Sequence, residues 1–417
     1  MSMRQSALCA ALCLTTLCAW SAEPAGQTLD ALVTAALSKD PRLMAADYAI
    51  TASRHRHDAA GSWPNPMLQV QAIGDMAQTA AGEATAMVMV TQPIPWPGKT
   101  SAQRDLVHAG IGSASANRDA LRLAIARDVR VAYFDWQRSE QSIAIISQHR
   151  ELVSDLREAV VARMATGKAT QADLLRIELQ LGELANQADM WQAQRGAALA
   201  TLTRLADDTV TPAAFAGPVV PPALTSAPAE NHPLLTMQSA QLERAAASHQ
   251  MARLSRRPDF SLSASYTMID DEGLSPVANG DDQWWIGVGI SVPVWQGSLG
   301  SAEEAALADI TRARADLRNA HAQLHENTAR LGAMLESARA RTTRLAEELQ
   351  PQAQARVDSL LAAYRSDTGD FNVLIDAWRQ LLGIELAVHH ASADAWSTWA
   401  QLRHALGITD APSGDTP

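Results

Sequence analysis

Cysteine is nearly absent from this sequence, and its three copies, Cys9, Cys13 and Cys18, all fall within the first eighteen residues. The rest of the chain can form no disulfide and present no thiolate nucleophile or ligand. Beyond that segment no apolar run nears the roughly 18 residues that mark a membrane-spanning helix, which excludes a helical membrane protein. Positive charge is in deficit: 34 Lys and Arg face 45 Asp and Glu, for a net charge of −11. That balance argues against nucleic acid or an anionic lipid surface as partner. A glycine-rich phosphate loop, a nucleophile elbow and an HExxH pair are all missing, so no enzyme is expected and no cofactor or metal is required. Phe and Tyr are scarce at four each, whereas Trp reaches eleven, an excess that needs a reason.

The N-terminus reads as a secretory signal. Met1–Gln5 carries one positive charge, Arg4; Ser6–Leu17 is apolar; Ala19-Trp20-Ser21 places small residues at the two positions a signal peptidase reads. The apolar core is shorter than the roughly 20 residues of an anchoring span, so residues 1–21 are expected to be removed. Cys18 follows Leu17 rather than a small residue, which argues against lipidation.

What remains is one unit written twice. KDPRLMAADYAITASRHRHDAAGSWPNPMLQVQA, from Lys39, parallels NHPLLTMQSAQLERAAASHQMARLSRRPDFSLSASY, from Asn231. Pro41 pairs with Pro233 and Pro66 with Pro258 at an offset of 192. Further on, TQPIPWPGK resembles SVPVWQGS, with Trp96 over Trp295 and Gly98 over Gly297 at an offset of 199. The drift of seven is an insertion between strands. The first copy is expected over 22–206 and the second over 231–409, with a Pro-, Ala- and Thr-rich linker at 207–230 and a tail at 410–417.

Each copy opens with a helix, about Leu29–Ala60 and Pro233–Leu254, with Asp40-Pro41 and His232-Pro233 as breaks or N-termini. Two strands follow in each, about 67–74 and 85–92, then 259–268 and 283–292. Phe260, Leu262, Ala264, Tyr266 and Met268 alternate with Ser261, Ser263, Ser265 and Thr267; such a strand suits a wall with lipid on one side and water on the other. Trp63, Trp96, Trp284, Trp285 and Trp295 cluster at the strand ends, where indole settles at a membrane–water boundary. Long helical hairpins then run over about 98–205 and 299–406, with Pro351 as a kink in the second. Leu121, Ile125, Val129, Ala132 and Trp136 form the first apolar stripe. At 1.5 Å per residue the first helix of each hairpin extends roughly 100 Å, a length no compact globular domain houses. The fold class is therefore mainly α with a small β part, as a duplicated helix–strand–strand–long helix repeat. Four membrane strands cannot close a barrel, and an open edge is forbidden in hydrocarbon, so copies must share one: two would give eight strands, three twelve. A shared barrel behind a signal peptide implies a Gram-negative outer membrane, and the helices suit a duct across the periplasm.

The duplicated unit resembles the outer membrane factor family, the TolC-like exit ducts of tripartite efflux pumps. QPIPWPGK at Gln92–Lys99 is similar to the segment entering the long helix in the heavy-metal, CzcC/CusC-like branch. YRSDTGDFNVLIDAWRQLL at Tyr364–Leu382 is similar to a family stretch near the periplasmic end. The resemblance implies a homotrimer with a twelve-stranded barrel and an α-helical tunnel, docked to a periplasmic adaptor and an inner-membrane RND pump. It implies a periplasmic gate, for which Tyr364, Asp367, Asp370 and Asp376 are candidates; Asn372 or Val373 stands where a second, earlier aspartate is typical. Arg163, Gly167, Thr170, Arg365 and Gly369 mark the hairpin tips an adaptor would touch. The cargo it implies is heavy-metal cations, with drugs or other small solutes as the alternative.

Two other readings stand beside this one. His55 and His57, His321 and His325, and His389-His390 have spacings that can chelate, but no carboxylate or cysteine completes a set, and a duct gains nothing by holding its cargo tightly. A periplasmic coiled-coil adaptor or scaffold would share the long hairpins but not the duplicated strand pair with aromatic ends.

Overall fold

The computed structural model describes residues 26–74, 78–224, 227–271, 277, 280–366 and 368–408. The expected signal segment, the tail and Asp367 lie outside them. No helix among the described residues is long and apolar enough to cross a membrane.

The first copy comprises α1 (Leu29–Lys39), α2 (Pro41–Ala60), β1 (Met67–Ala72), β2 (Gln78–Thr79), β3 (Gly82–Ile94), α3 (Lys99–Ala165) and α4 (Gln171–Ala206). The second comprises α5 (Pro233–Ser255), β4 (Asp259–Ile269), β5 (Gln283–Ser291), α6 (Gln296–Thr343), α7 (Gln350–Arg365) and α8 (Phe371–Ala405). The helix expected over 29–60 is two helices. Asp40 ends α1 by donating its N–H to the Ala36 carbonyl, and it caps α2 by accepting the Arg42 N–H. Pro41, with no N–H to lose, takes the first helical position.

α3 runs unbroken for 67 residues, roughly 100 Å. Its counterpart passes through a π-helical segment, Arg344–Leu349, just before Pro351. The Gln350 N–H reaches back five residues to the Leu345 carbonyl. Proline lacks an N–H and its ring would strike the carbonyl four residues earlier; one widened turn relieves both conflicts and lets the helix continue.

β1, β3, β4 and β5 form one antiparallel sheet in that order, with β2 pairing only the start of β3. β3 runs on through Pro93, two residues past the Met67–Thr91 pair that ends its ladder with β1; an edge position tolerates a missing N–H. Register sorts the side chains. Leu68, Val88, Val90, Leu262, Tyr266, Ile286 and Val288 share one face, while Gln69, Gln71, Thr91, Ser261, Ser263, Ser265 and Gln283 share the other. Burial is inverted relative to a water-soluble sheet: Leu262 and Met268 are 46% exposed, whereas Ser265 is 4% exposed. The sheet shields its polar face and presents its apolar one. That is the arrangement of a membrane strand, and it strands too much apolar surface for water.

The helices pack around four hydrophobic clusters among the described residues, two of them large. One gathers α1, α3, α4 and α8 around Tyr133, Phe134 and Trp396, with the connecting segment at Phe215. The other joins both hairpins at their far end through Ile146, Ile177, Leu184, Tyr364, Ile375 and Leu381. α5 stands on the end of α8, where His232 Nδ1 accepts the Leu234 N–H and the Nε2 lies 3.3 Å from the His404 carbonyl. Burial first, and then the Arg127 guanidinium, push His404 down to about 4 from its ordinary 6.5. A histidine whose folded pKa is depressed stabilises the fold above its unfolded pKa, and that stability is lost as pH falls towards the folded value. Acidification from about pH 7.5 to about pH 5 is therefore expected to cost about 1 kcal/mol per chain, after allowance for solvent screening. A fall in melting temperature that His404→Asn flattens would report it.

Candidate functional site

The site residues expected from the sequence lie at the two ends of the long helices. At the sheet end, Trp63 precedes β1 and is 59% exposed, and Trp295 follows β5 and is 79% exposed. Trp96, after β3, stacks on Phe260 with centroids 5.8 Å apart. Its backbone N–H donates to Asp259 Oδ1 at 2.8 Å, and Lys99 Nζ donates to the same oxygen at 2.8 Å. This clamp fixes the joint where strand becomes helix. Trp284 lies at the opposite end of the apolar face, across from Tyr266. Those four indoles and Tyr266 bracket the apolar band. Trp285 does not belong to it: the register puts it on the polar face, opposite Ser265.

At the far end, each hairpin turns on a glycine. Gly167 adopts φ +71°, and the Lys168 N–H closes on the Arg163 carbonyl at 2.9 Å, the left-handed cap that glycine supplies without strain. Thr170 and Asp173 then form a reciprocal capping box that starts α4. At the second turn the N–H groups of Thr368 and Gly369 both reach the Ala363 carbonyl at 3.0 Å. A Cβ on Gly369 would stand 2.7 Å from the Tyr364 backbone nitrogen, so this residue is glycine for closeness rather than for φ. Arg365 occupies the last turn of α7.

The three gate candidates among the described residues separate. Tyr364 is buried at 8% exposure, and the guanidinium of Arg163 sits 4.4 Å above its ring. Arg163 also donates to the Tyr364 carbonyl at 3.2 Å. Arg163, a hairpin-tip residue, thus also straps the first hairpin to the second. Asp370 is the N-cap of α8 and accepts the Asn372 N–H at 2.7 Å. Asp376 has a 60% exposed side chain, 3.5 Å from Arg176 of α4.

Asp376 belongs to a ladder that includes Arg176. Arg176 also contacts Asn372, and Arg379 of α8 contacts Gln180 and lies 3.1 Å from Glu183. Residues 176, 180 and 183 on α4 and 372, 376 and 379 on α8 share the same i, i+4, i+7 spacing at an offset of 196. That spacing on one face of each return helix was the available signal.

No curated protein matches the chain. Solved structures do. VceC of Vibrio cholerae is 19% identical, with a TM-score of 0.74 over 91% of this chain and 96% of that one. The open-state MtrE outer membrane channel of Neisseria gonorrhoeae is 18% identical, with a TM-score of 0.76 over 92% and 89%. CusC, described in connection with transmembrane channel formation, is 15% identical, with a TM-score of 0.74 over 91% of both chains. At these identities the likeness establishes the fold alone. The family match goes further and covers both repeats, at residues 32–206 and 224–408. The chain is a transport duct of the outer membrane rather than an enzyme, and it belongs to the outer membrane efflux protein family.

Proposed function

We propose that three copies of this chain close a twelve-stranded barrel in the outer membrane and a helical tunnel below it, the exit duct of a tripartite RND-type efflux pump. The observation that carries the reading is the four-stranded sheet with apolar side chains outermost and with β1 and β5 as its two edges. Edges are intolerable in hydrocarbon, and single-chain barrels begin at about eight strands, so the sheet needs partners. The tips around Gly167, Thr170, Arg365 and Gly369 serve a periplasmic adaptor, which couples the duct to an inner-membrane pump. Asp376, repeated by threefold symmetry, contributes to the periplasmic constriction.

The cargo we assign is heavy-metal cations, on the resemblance of QPIPWPGK at Gln92–Lys99 to the metal branch. A deletion strain is expected to become sensitive to one or more of copper, silver, zinc, cobalt and cadmium, with resistance restored by the intact gene. Sensitisation to drugs alone would transfer the duct to multidrug efflux.

A further inference from the structure

Halfway along the hairpins lies a concave recess of about 880 Å³. Its walls come from α3, α4, α6 and α8 and the N-terminus of α5. Across the wall these helices follow the order α4, α3, α8, α6, because α3 packs on both α4 and α8, and α8 packs on α6. Four helices in a row that line a single recess must curve towards it. The opposite face is the covered one. There Tyr133 donates to the Ala213 carbonyl at 2.7 Å, Trp396 to Pro218 at 3.0 Å and Arg339 to Pro221 at 3.0 Å. The connection between the repeats thus wraps the outside of the wall, and the recess faces the bore.

The charges in the recess do not balance. Arg127, Arg138, Arg204 and Arg330 line it, against Asp128 and Asp135. Arg127 pairs with Asp128 at 2.6 Å and Arg138 with Asp135 at 2.9 Å. Among the described residues Arg330 contacts Asn327 and Met334, and neither it nor Arg204 has a carboxylate within ion-pair distance. Asp40 lies close enough to Arg204 to feel its field, but Arg42 already holds it at 2.7 Å. Just below, Arg341 and Asp394 pair at 2.9 Å and add nothing net. His232 and His404, both pushed down by burial, stay neutral at pH 7. An excess of two positive charges therefore faces the bore in a chain whose net charge is −11.

We propose that Arg127, Arg138, Arg204 and Arg330 form a cationic collar inside the tunnel that binds small multivalent anions in transit. The proposal rests on the duct reading, since threefold repetition is what turns the recess into a ring. A ring of one sign favours counter-ions and disfavours co-ions, and guanidinium forks suit carboxylate, phosphate and sulfonate groups. Organic anions fit this chemistry directly. Metals fit it as anionic complexes, with the carboxylates of their ligands meeting the guanidiniums. The collar lies between the barrel and the hairpin tips, so an anion entering from the extracellular side reaches it without passing Asp376.

The test is block of single-channel current in planar bilayers by hexacyanoferrate(II) added from the extracellular side of the full-length trimer. Wild-type channels are expected to be blocked, and Arg204→Gln/Arg330→Gln channels to need at least about tenfold more blocker, the gain that a focused field of one sign confers. These two arginines hold no carboxylate, so their loss strands no charge. Raising KCl from about 0.1 M to about 1 M should relieve the block of the wild type by screening, a readout that requires no variant. Equal block in both proteins, or stronger block by hexamminecobalt(III) from that side, overturns the collar. Failure of the wild type to form channels overturns the duct reading itself.

Discussion

Ile286→Arg is expected to abolish the assembled duct. Ile286 lies near the middle of β5, opposite Ala264, on the apolar face, and is 68% exposed in the single chain. An arginine on the lipid side at mid-membrane costs about 2–4 kcal/mol per chain, and a trimer would incur it three times. That total rivals the whole stability of an ordinary domain, so the heat-modifiable oligomer band on a gel should vanish and the chain should leave the outer-membrane fraction. Thr267→Arg supplies the control. Thr267 is on the polar face, opposite Gln283, where a charge meets the water-filled side, and its oligomer should survive. A stable Ile286→Arg oligomer alongside a lost Thr267→Arg oligomer would exchange the two faces and dismantle the barrel.

The division between those faces was legible because it rests on a period of two. Phe260 to Met268 alternates strictly with serines and threonine, and pairing with β3 and β5 extends the same sorting across the sheet. The long helices were legible for a similar reason: no proline interrupts 98–165, and its stripe keeps helical spacing. Proline's consequence was less so. A wide turn before Pro351 is set by the proline together with what packs beside it, and α8 packs along that segment. The tips were the hardest part. The sequence places Arg163 beside a turn at a tip, but nothing local reveals an aromatic ring 201 residues away. The period of two already sets Trp285 on the face opposite Trp284, and its pairing with Ser265 agrees. The arginines of the recess are spread over α3, α4 and α6, and only packing collects them.

The strap at the tips carries the second large effect. Near the tips two sets of polar contacts add to the hydrophobic cluster that joins the hairpins: Arg163 on Tyr364, and the Arg176 and Arg379 ladder. They are unequal in strength. A cation over a desolvated ring contributes about 2 kcal/mol, and Tyr364 is buried with Phe371 packed 5.7 Å from it. The Arg176–Asp376 pair has side chains 37% and 60% exposed, and an exposed pair contributes about 0.5 kcal/mol. If parting of the hairpins opens the periplasmic end, the interaction that binds only the closed state sets the equilibrium. Arg163→Ala should then shift that equilibrium roughly 30-fold, enough to raise a state populated at about 1% to about a quarter. Arg176→Ala should shift it only about twofold. Arg163→Lys keeps the charge but loses the planar fork, so it should fall between wild type and Arg163→Ala. The measurement is mean open probability in planar bilayers without an adaptor. An Arg176→Ala channel that opens more than Arg163→Ala would place the latch in the ladder and reduce the buried strap to packing.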